Sequence, residues 1–487
     1  MNFYPSKEQA QALAAKSEYK TVPLALIDTC SVTEADIYKV LKNISRNVFI
    51  LDSAESSTEH GRYTFLGFDP KLELTCRNGN VRLRSGTELN FENADPRDYI
   101  RNIIKENRSP KIDGLPPFTG GLVGYFAFDY IKYSEPQMRF DILDEEDFCD
   151  VDLMLFDKLI AIDNEKKEII YIVNVKTDDF ETNYNKALLD LKHMERILTD
   201  GTPKLEEKGR LLEPLTPLFD KEAYCKMVET AKNRIFEGDI FQVVLSNRLA
   251  ARYEGSLFYT YRYLRKSNPS PYMFYFSSDD VEIAGASPET LVKLEGKTVT
   301  TYPLAGTRPR GKTPDQDKAL EKDLLADEKE LAEHNMLVDL GRNDLGKISK
   351  FGSVKVDRYM EVQRYSHVMH IGSEVSGEIR DDCDGLDAIG AVLPAGTLSG
   401  APKLKACEII SDGENNKRGI YGGAIGYLAF NGDMDTCIAI RLAFKKNGRV
   451  FVRSGAGIVA DSVPEKEYQE CINKAQAVVT ALEEAAK

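Results

Sequence analysis

Two Asn-Gly pairs, Asn431-Gly432 and Asn447-Gly448, constrain the fold more than any other feature of the chain. Asn and Gly enter the positive-φ positions of a two-residue hairpin turn at little steric cost, and each pair lies between alternating apolar runs. The spacing predicts a three-stranded antiparallel meander over residues 420–460, with TCIAIRLAF as its middle strand. A period of two puts Ile438, Ile440, Leu442 and Phe444 on the face a core would cover. Cys437, Ala439, Arg441 and Ala443 take the other face. Arg441 then stands among small neighbours, with room for a ligand carboxylate or for a cation snorkelling to solvent. The third strand carries Arg453-Ser454-Gly455-Ala456-Gly457, whose glycines invite a ligand or another backbone to approach.

Further strands are predicted at Val48–Leu51, Arg62–Gly67, Gly120–Phe128, Asp239–Leu249 and Tyr272–Phe276, and two more within Leu159–Val175. Helices are predicted over residues 6–16, 33–43, 180–198 and 221–238. Residues 200–219 hold two glycines, three prolines and a charge run, and read as a linker. A boundary near residue 215 separates an N-terminal region, 1–215, from a region, 216–487, that carries nearly all the chemistry.

That chemistry centres on Tyr302 to Asp344. Ala305-Gly306-Thr307-Arg308-Pro309-Arg310-Gly311 reads as a turn able to aim N–H groups and guanidinium forks at an anion. The helix that follows carries Glu330 and Glu333, three apart and so on one face. The last helix, opened by Pro464 with Ser462 and Glu465 as a capping box, repeats the spacing in Glu467 and Glu470. One carboxylate from each helix suffices for Mg²⁺, which keeps waters and substrate oxygens as its other ligands. Solvated helix faces carry the same spacing. Pro288 disfavours a helix through Ser287-Pro288-Glu289-Thr290 and leaves Glu289 at a strand end or turn.

Composition narrows the class. With 42% hydrophobic and 29% charged residues, the chain is ordinary for a soluble protein. No apolar run approaches the ~18 residues of a membrane span, and the first twenty residues lack an apolar signal core. A net charge of −14 without a basic tract disfavours nucleic acid and membranes as partners. Eight scattered cysteines without C-x-x-C spacing fit free thiols in a reducing cytoplasm.

The ordered motifs DIFQVVLSNR, NPSPYMFY, GASPETL, PLAGTRPRG, ELAEHNMLVDLGRNDLG, SHVMHI, AGTLSGAPK, YGGAIGY, DTCIAIR and GAGIVADSVPEKEYQECINKA resemble the chorismate-utilising enzymes, and most closely the large subunits of anthranilate synthases. The resemblance implies an α+β fold: large antiparallel β-sheets forming a sandwich-like core flanked by helices, built from two intertwined regions. Members that add water to chorismate carry a lysine base where this chain has Gln242, and ammonia needs no such base. Aminodeoxychorismate synthases, the alternative reading, carry a nucleophilic lysine where this chain has Ala305. The implied reaction is that of a lyase: ammonia displaces the ring hydroxyl of chorismate, and loss of pyruvate gives anthranilate, the first step of tryptophan biosynthesis.

The resemblance also implies roles. Glu333 and Glu470 would hold Mg²⁺, supported by Glu330 and Glu467. Gly306, Thr307 and the backbone of Gly455, Ala456 and Gly457 would bind the ring carboxylate, and Tyr421 and Arg441 the enolpyruvyl carboxylate. Glu289 would be the general acid, with His370 and Thr397 lining the ring. In relatives inhibited by tryptophan, segments matching Ile50-Leu51-Asp52-Ser53 and Asn268 to Phe274 form the effector pocket. Here that implies Leu51, Asp52, Ser53, Asn268, Pro271, Tyr272, Met273 and Phe274, with Arg62 a further contact. Asp52 stands where those relatives have Glu, one methylene longer. No cysteine sits in a Gly-x-Cys-x-Gly nucleophile turn, so the resemblance implies a separate glutamine amidotransferase subunit as the ammonia source.

Overall fold

Phe49 sets its ring edge-on to Phe156, with centroids 4.8 Å apart, across the gap between two sheets. Its neighbours Val48 and Ile50 point the other way, into a second core under helices. This alternation, repeated along many strands, gives a core between the sheets and another on the outer face of one of them. The computed structural model describes residues 2–54, 61–138, 142–365 and 368–487. Among these residues the chain forms two sheets, of 14 and 12 strands, and 12 α-helices. His367, and Glu55 and Ser56 beyond the Val48 strand, lie outside the described residues.

The α+β sandwich expected from the sequence is the fold that forms. Each sheet draws strands from both sides of residue 215. In the larger, Val48–Asp52 pairs antiparallel with Tyr272–Ser277, setting Leu51 opposite Phe274. In the smaller, Gly121–Phe126 pairs with Ala424–Ala429, setting Gly124 opposite Gly426.

Both Asn-Gly turns close hairpins, but the meander they predicted is divided. Ala424–Ala429 and Met434–Ile438 pair in the smaller sheet, whereas Leu442–Lys446 and Arg449–Ile458 pair in the larger. The stretch read as one middle strand changes layer at Ala439 to Arg441. There Arg441 takes φ +53°, a region costly for a residue with a side chain. Ala439 exchanges hydrogen bonds with Gly422 and Gly423 on one side of the break. The Arg441 carbonyl accepts from Ala286 N on the other.

Two further expectations are corrected. The Gly/Arg stretch is an irregular strand, Leu304–Pro309, paired with Val368–Glu378. Its guanidiniums turn to nearby acids and not to a cavity: Arg308 binds Asp323 and Asp327, and Arg310 binds Asp317. Helices Pro314–Ala326 and Glu328–Gly346 follow directly and bring those carboxylates within reach. The capping box at Ser462 does not form. Its hydroxyl accepts from Val459 N, and the last helix, Pro464–Glu484, begins with Val463 as its cap.

Candidate functional site

The layer change at Arg441 sets the site. It brings Arg441 beside Tyr421 at one end of a cavity of about 630 Å³. Gln242 enters from the strand Gln242–Glu254. Glu289 enters from the Pro288 turn between Glu282–Ser287 and Thr290–Glu295. Gly306, Thr307 and His370 come from the paired strands at the edge of the smaller sheet. Glu330 and Glu333 come from the helix Glu328–Gly346, and Glu467 and Glu470 from the last helix. Thr397, Gly455 and Gly457 complete the sequence-predicted walls. Ala456 is the exception: its side chain is fully buried in a separate apolar cluster.

The glycines of the third strand form a bare cradle. A Cβ at Gly455 would meet the Leu245 carbonyl oxygen at 2.6 Å and the Tyr421 hydroxyl at 3.2 Å, and one at Gly457 would lie 2.6 Å from Gln242 Nε2. A side chain at either position would displace the neighbouring strand or the groups that line the cavity with it. Gly306 takes φ +65°, and its carbonyl accepts from His370 Nδ1 at 2.8 Å. With the Nδ1 proton committed to that carbonyl, Nε2 carries the lone pair. Burial, and to a smaller degree the nearby Arg441, keep His370 neutral by lowering its pKa.

The cavity wall carries charge of both signs. Glu330 and Glu467 are both raised in pKa by burial, and also by Glu333 and Glu470 respectively. Such mutual repulsion favours a cation among the four. Among the described residues no three His, Cys, Asp or Glu side chains converge as a closed metal cage. Arg441 gives one N–H to the Lys474 carbonyl at 2.5 Å, on the same helix as Glu470. Burial lowers its pKa, against the pull of Tyr421 and Glu470. Glu289 is raised to about 8 by burial although Thr397 and Lys474 act against the rise. It is a carboxylic acid at neutral pH.

Lys474 and Arg453 also line the cavity and were not singled out from sequence. Lys474 binds Glu470 at 2.7 Å and the Gly455 carbonyl at 3.2 Å. Its position four residues after Glu470 on one helix face was the available signal. His334, beside Glu333, binds Ser373 Oγ at 2.6 Å and ties the Glu333 helix to the His370 strand.

The predicted effector residues only partly converge. Leu51, Asp52, Pro271, Tyr272, Met273 and Phe274 line a second, small cavity of about 70 Å³. Ser53, Asn268 and Arg62 are not among its walls. Arg62 instead binds Asp163 at 2.9 Å, within reach because the strands Tyr63–Phe68 and Lys158–Asp163 are paired. Asp52 accepts from Thr64 and Arg265, each at 2.6 Å.

Comparison with known proteins identifies the family. Residues 46–480 match the chorismate binding enzyme family. The chain is 42% identical to anthranilate synthase component 1 of Acetivibrio thermocellus, over 99% of each chain. It is also 42% identical to that of Aquifex aeolicus, over 99% of this chain and 98% of the relative. The crystal structure of anthranilate synthase component I from Streptococcus pneumoniae TIGR4 superposes with a TM-score of 0.74 at 39% identity, covering 87% of this chain and 93% of that one. The menaquinone-specific isochorismate synthase of Escherichia coli shares the fold at 19% identity, with a TM-score of 0.70 over 98% of both chains. From the matched residues, the shared sandwich and the single cavity that gathers the predicted side chains, the chain belongs to the chorismate binding enzyme family, among the anthranilate synthase component 1 proteins.

Proposed function

We propose that this chain is a lyase that converts chorismate and ammonia to anthranilate, pyruvate and water. The observation that carries this reading is a buried, protonated Glu289 in the wall of one cavity that also gathers Arg441, Tyr421 and the four carboxylates Glu330, Glu333, Glu467 and Glu470. Chorismate carries two carboxylates. Arg441, with Tyr421 beside it, suits the enolpyruvyl carboxylate, and the bare backbone at Gly455 and Gly457 suits the ring carboxylate. Glu333 and Glu470, with Glu330 and Glu467 supporting them, would hold Mg²⁺, which would supply positive charge to the ring carboxylate.

Ammonia forms the new C–N bond at the ring carbon next to the carboxylate. The ring double bonds shift, and the hydroxyl leaves as water with the proton of Glu289. His370 Nε2 then takes the proton from the carbon that gained nitrogen, the ether C–O bond breaks, pyruvate departs and the ring becomes aromatic. Gln242 carries no amine to activate water, which supports ammonia as the nucleophile.

The ammonia source is a separate glutamine amidotransferase subunit, in keeping with the "component 1" naming of the relatives. The compartment is the cytoplasm: all eight cysteines are free, and among the described residues no helix is long and apolar enough to cross a membrane. L-Tryptophan inhibits from the second cavity. That cavity is well below the ~300 Å³ of usual ligand pockets, so binding requires it to widen.

The test is to mix pure protein with chorismate, Mg²⁺ and an ammonium salt and follow anthranilate fluorescence. Isochorismate or aminodeoxychorismate as the product would overturn the reading.

A further inference from the structure

Behind the glycine cradle lies a charge cluster that no step above uses. The side chains of Glu414, Arg418 and Arg453 are at most 1% exposed. Glu414 closes the helix Lys403–Glu414. Its Oε1 accepts from Arg418 Nη2 at 2.6 Å and from Ser246 N at 2.7 Å. Its Oε2 accepts from Arg418 Nε at 2.9 Å and Arg453 Nη2 at 3.0 Å. Against the pull of burial, the two guanidiniums hold Glu414 below the usual carboxylate range.

The cluster braces the walls of the site. Arg418 donates to the carbonyl of Leu398, next to Thr397, and to that of Val244, two residues from Gln242, each at 2.7 Å. Arg453 donates to Ser246 Oγ at 2.9 Å and to the Lys417 carbonyl at 3.0 Å. The period of two on Arg449–Ile458 puts Arg453 on the same strand face as Gly455 and Gly457.

Two guanidiniums share one carboxylate, and the next buried acid, Asp129, is engaged by Lys417 before Arg418, which leaves Arg453 without a counter-charge of its own. Burial lowers Arg453 only to about 10, so it stays charged at neutral pH. A purely structural pair of this kind is more stable when balanced, because a buried charge without a counter-charge is costly. A dicarboxylate arriving in the cavity provides that counter-charge. We infer that Arg453 is a positioning residue whose unneutralised charge, held two residues from the start of the glycine cradle, draws a substrate carboxylate onto that wall. The inference rests on the reading that this cavity binds a dicarboxylate.

Two variants separate charge from scaffolding. Arg453→Met leaves Glu414 and Arg418 as a balanced pair, and Arg453→Lys keeps the charge but loses the fork. Both are expected to lower the melting temperature by similar amounts. The dissociation constant for chorismate, measured by calorimetry with Mg²⁺ and no ammonium, is expected to rise about tenfold in Arg453→Met and to stay within about threefold in Arg453→Lys. In turnover with ammonium the loss in Arg453→Met falls on KM, not kcat. Equal binding by wild type and Arg453→Met overturns the inference, as does an equal loss in both variants. If Arg453→Met does not fold, a tenfold loss in a folded Arg453→Lys overturns it. No binding by the wild type overturns the reading of the cavity itself.

Discussion

Thr397 Oγ1 donates a 3.0 Å hydrogen bond to Glu289 Oε1, so the carboxyl proposed as the acid is held by a group that favours its ionised form. Burial wins that contest, and Glu289 stays protonated up to about pH 8. Turnover that needs this proton falls as pH rises through about 8. Thr397→Val removes a donor to the charged form, raises the pKa further, and is expected to move that alkaline limb to higher pH. A pH–rate profile of kcat in the two proteins checks the direction; a downward move would remove Glu289 as the acid.

The same burial has a price in stability. Unfolded, the Glu289 carboxyl ionises near 4.5, and folded, near 8. The folded state therefore binds the proton more tightly, and stability is lost as pH rises between those values. The loss is on the order of 5 kcal/mol at pH 8 if no other group responds. Glu289→Gln is expected to reduce kcat about a thousandfold and yet to melt higher than wild type at pH 8. The advantage should vanish below pH 4.5, where both unfolded chains are neutral at this position. Calorimetric scans at the two pH values decide it.

Removing one carboxylate from each helix tests the cation site. Glu333→Gln and Glu470→Gln are expected to abolish turnover at millimolar Mg²⁺ without changing the circular dichroism spectrum. Glu330→Gln and Glu467→Gln should raise the Mg²⁺ needed by roughly tenfold. Full activity in Glu333→Gln would remove the metal assignment.

Arg441 offers a fork where a lysine offers a point charge. Arg441→Lys is expected to raise KM for chorismate by about 30-fold, near 2 kcal/mol. Its kcat should fall much less. Steady-state kinetics with varied chorismate separates the two, and an unchanged KM would place the enolpyruvyl carboxylate elsewhere.

Tyr272 links the second cavity to the acid. Its hydroxyl lies 2.8 Å from Asp435 and 2.9 Å from Thr290, the residue after Glu289. Tyr272→Phe is expected to keep uninhibited kcat within about threefold and to raise the tryptophan concentration for half-inhibition by about fivefold or more. Inhibition curves that superpose would sever the link.

How much of this was legible in the sequence depended on the range of the signal. Pro288 alone placed Glu289 in a turn, because its constraint is local. The Asn-Gly pairs fixed their own hairpins. They carried no information on which sheet each hairpin joins, since Met434–Ile438 and Leu442–Lys446 are both mostly buried. The layer change at Arg441 was therefore invisible, although it decides where Arg441 points. Ser462 and Glu465 had the spacing of a cap, but a competing donor, Val459 N, took the hydroxyl. Arg308 and Arg310 looked available for an anion only because helical spacing does not show that Asp317, Asp323 and Asp327 fold back onto their strand.

The three residues Ala439 to Arg441 are bonded at one end to Gly422 and Gly423, which lead into the strand Ala424–Ala429 of the smaller sheet, and at the other to Ala286 of the larger. Arg441 therefore stands at the crossing from one layer to the other, and the wall it shares with Tyr421 is anchored in both halves of the sandwich.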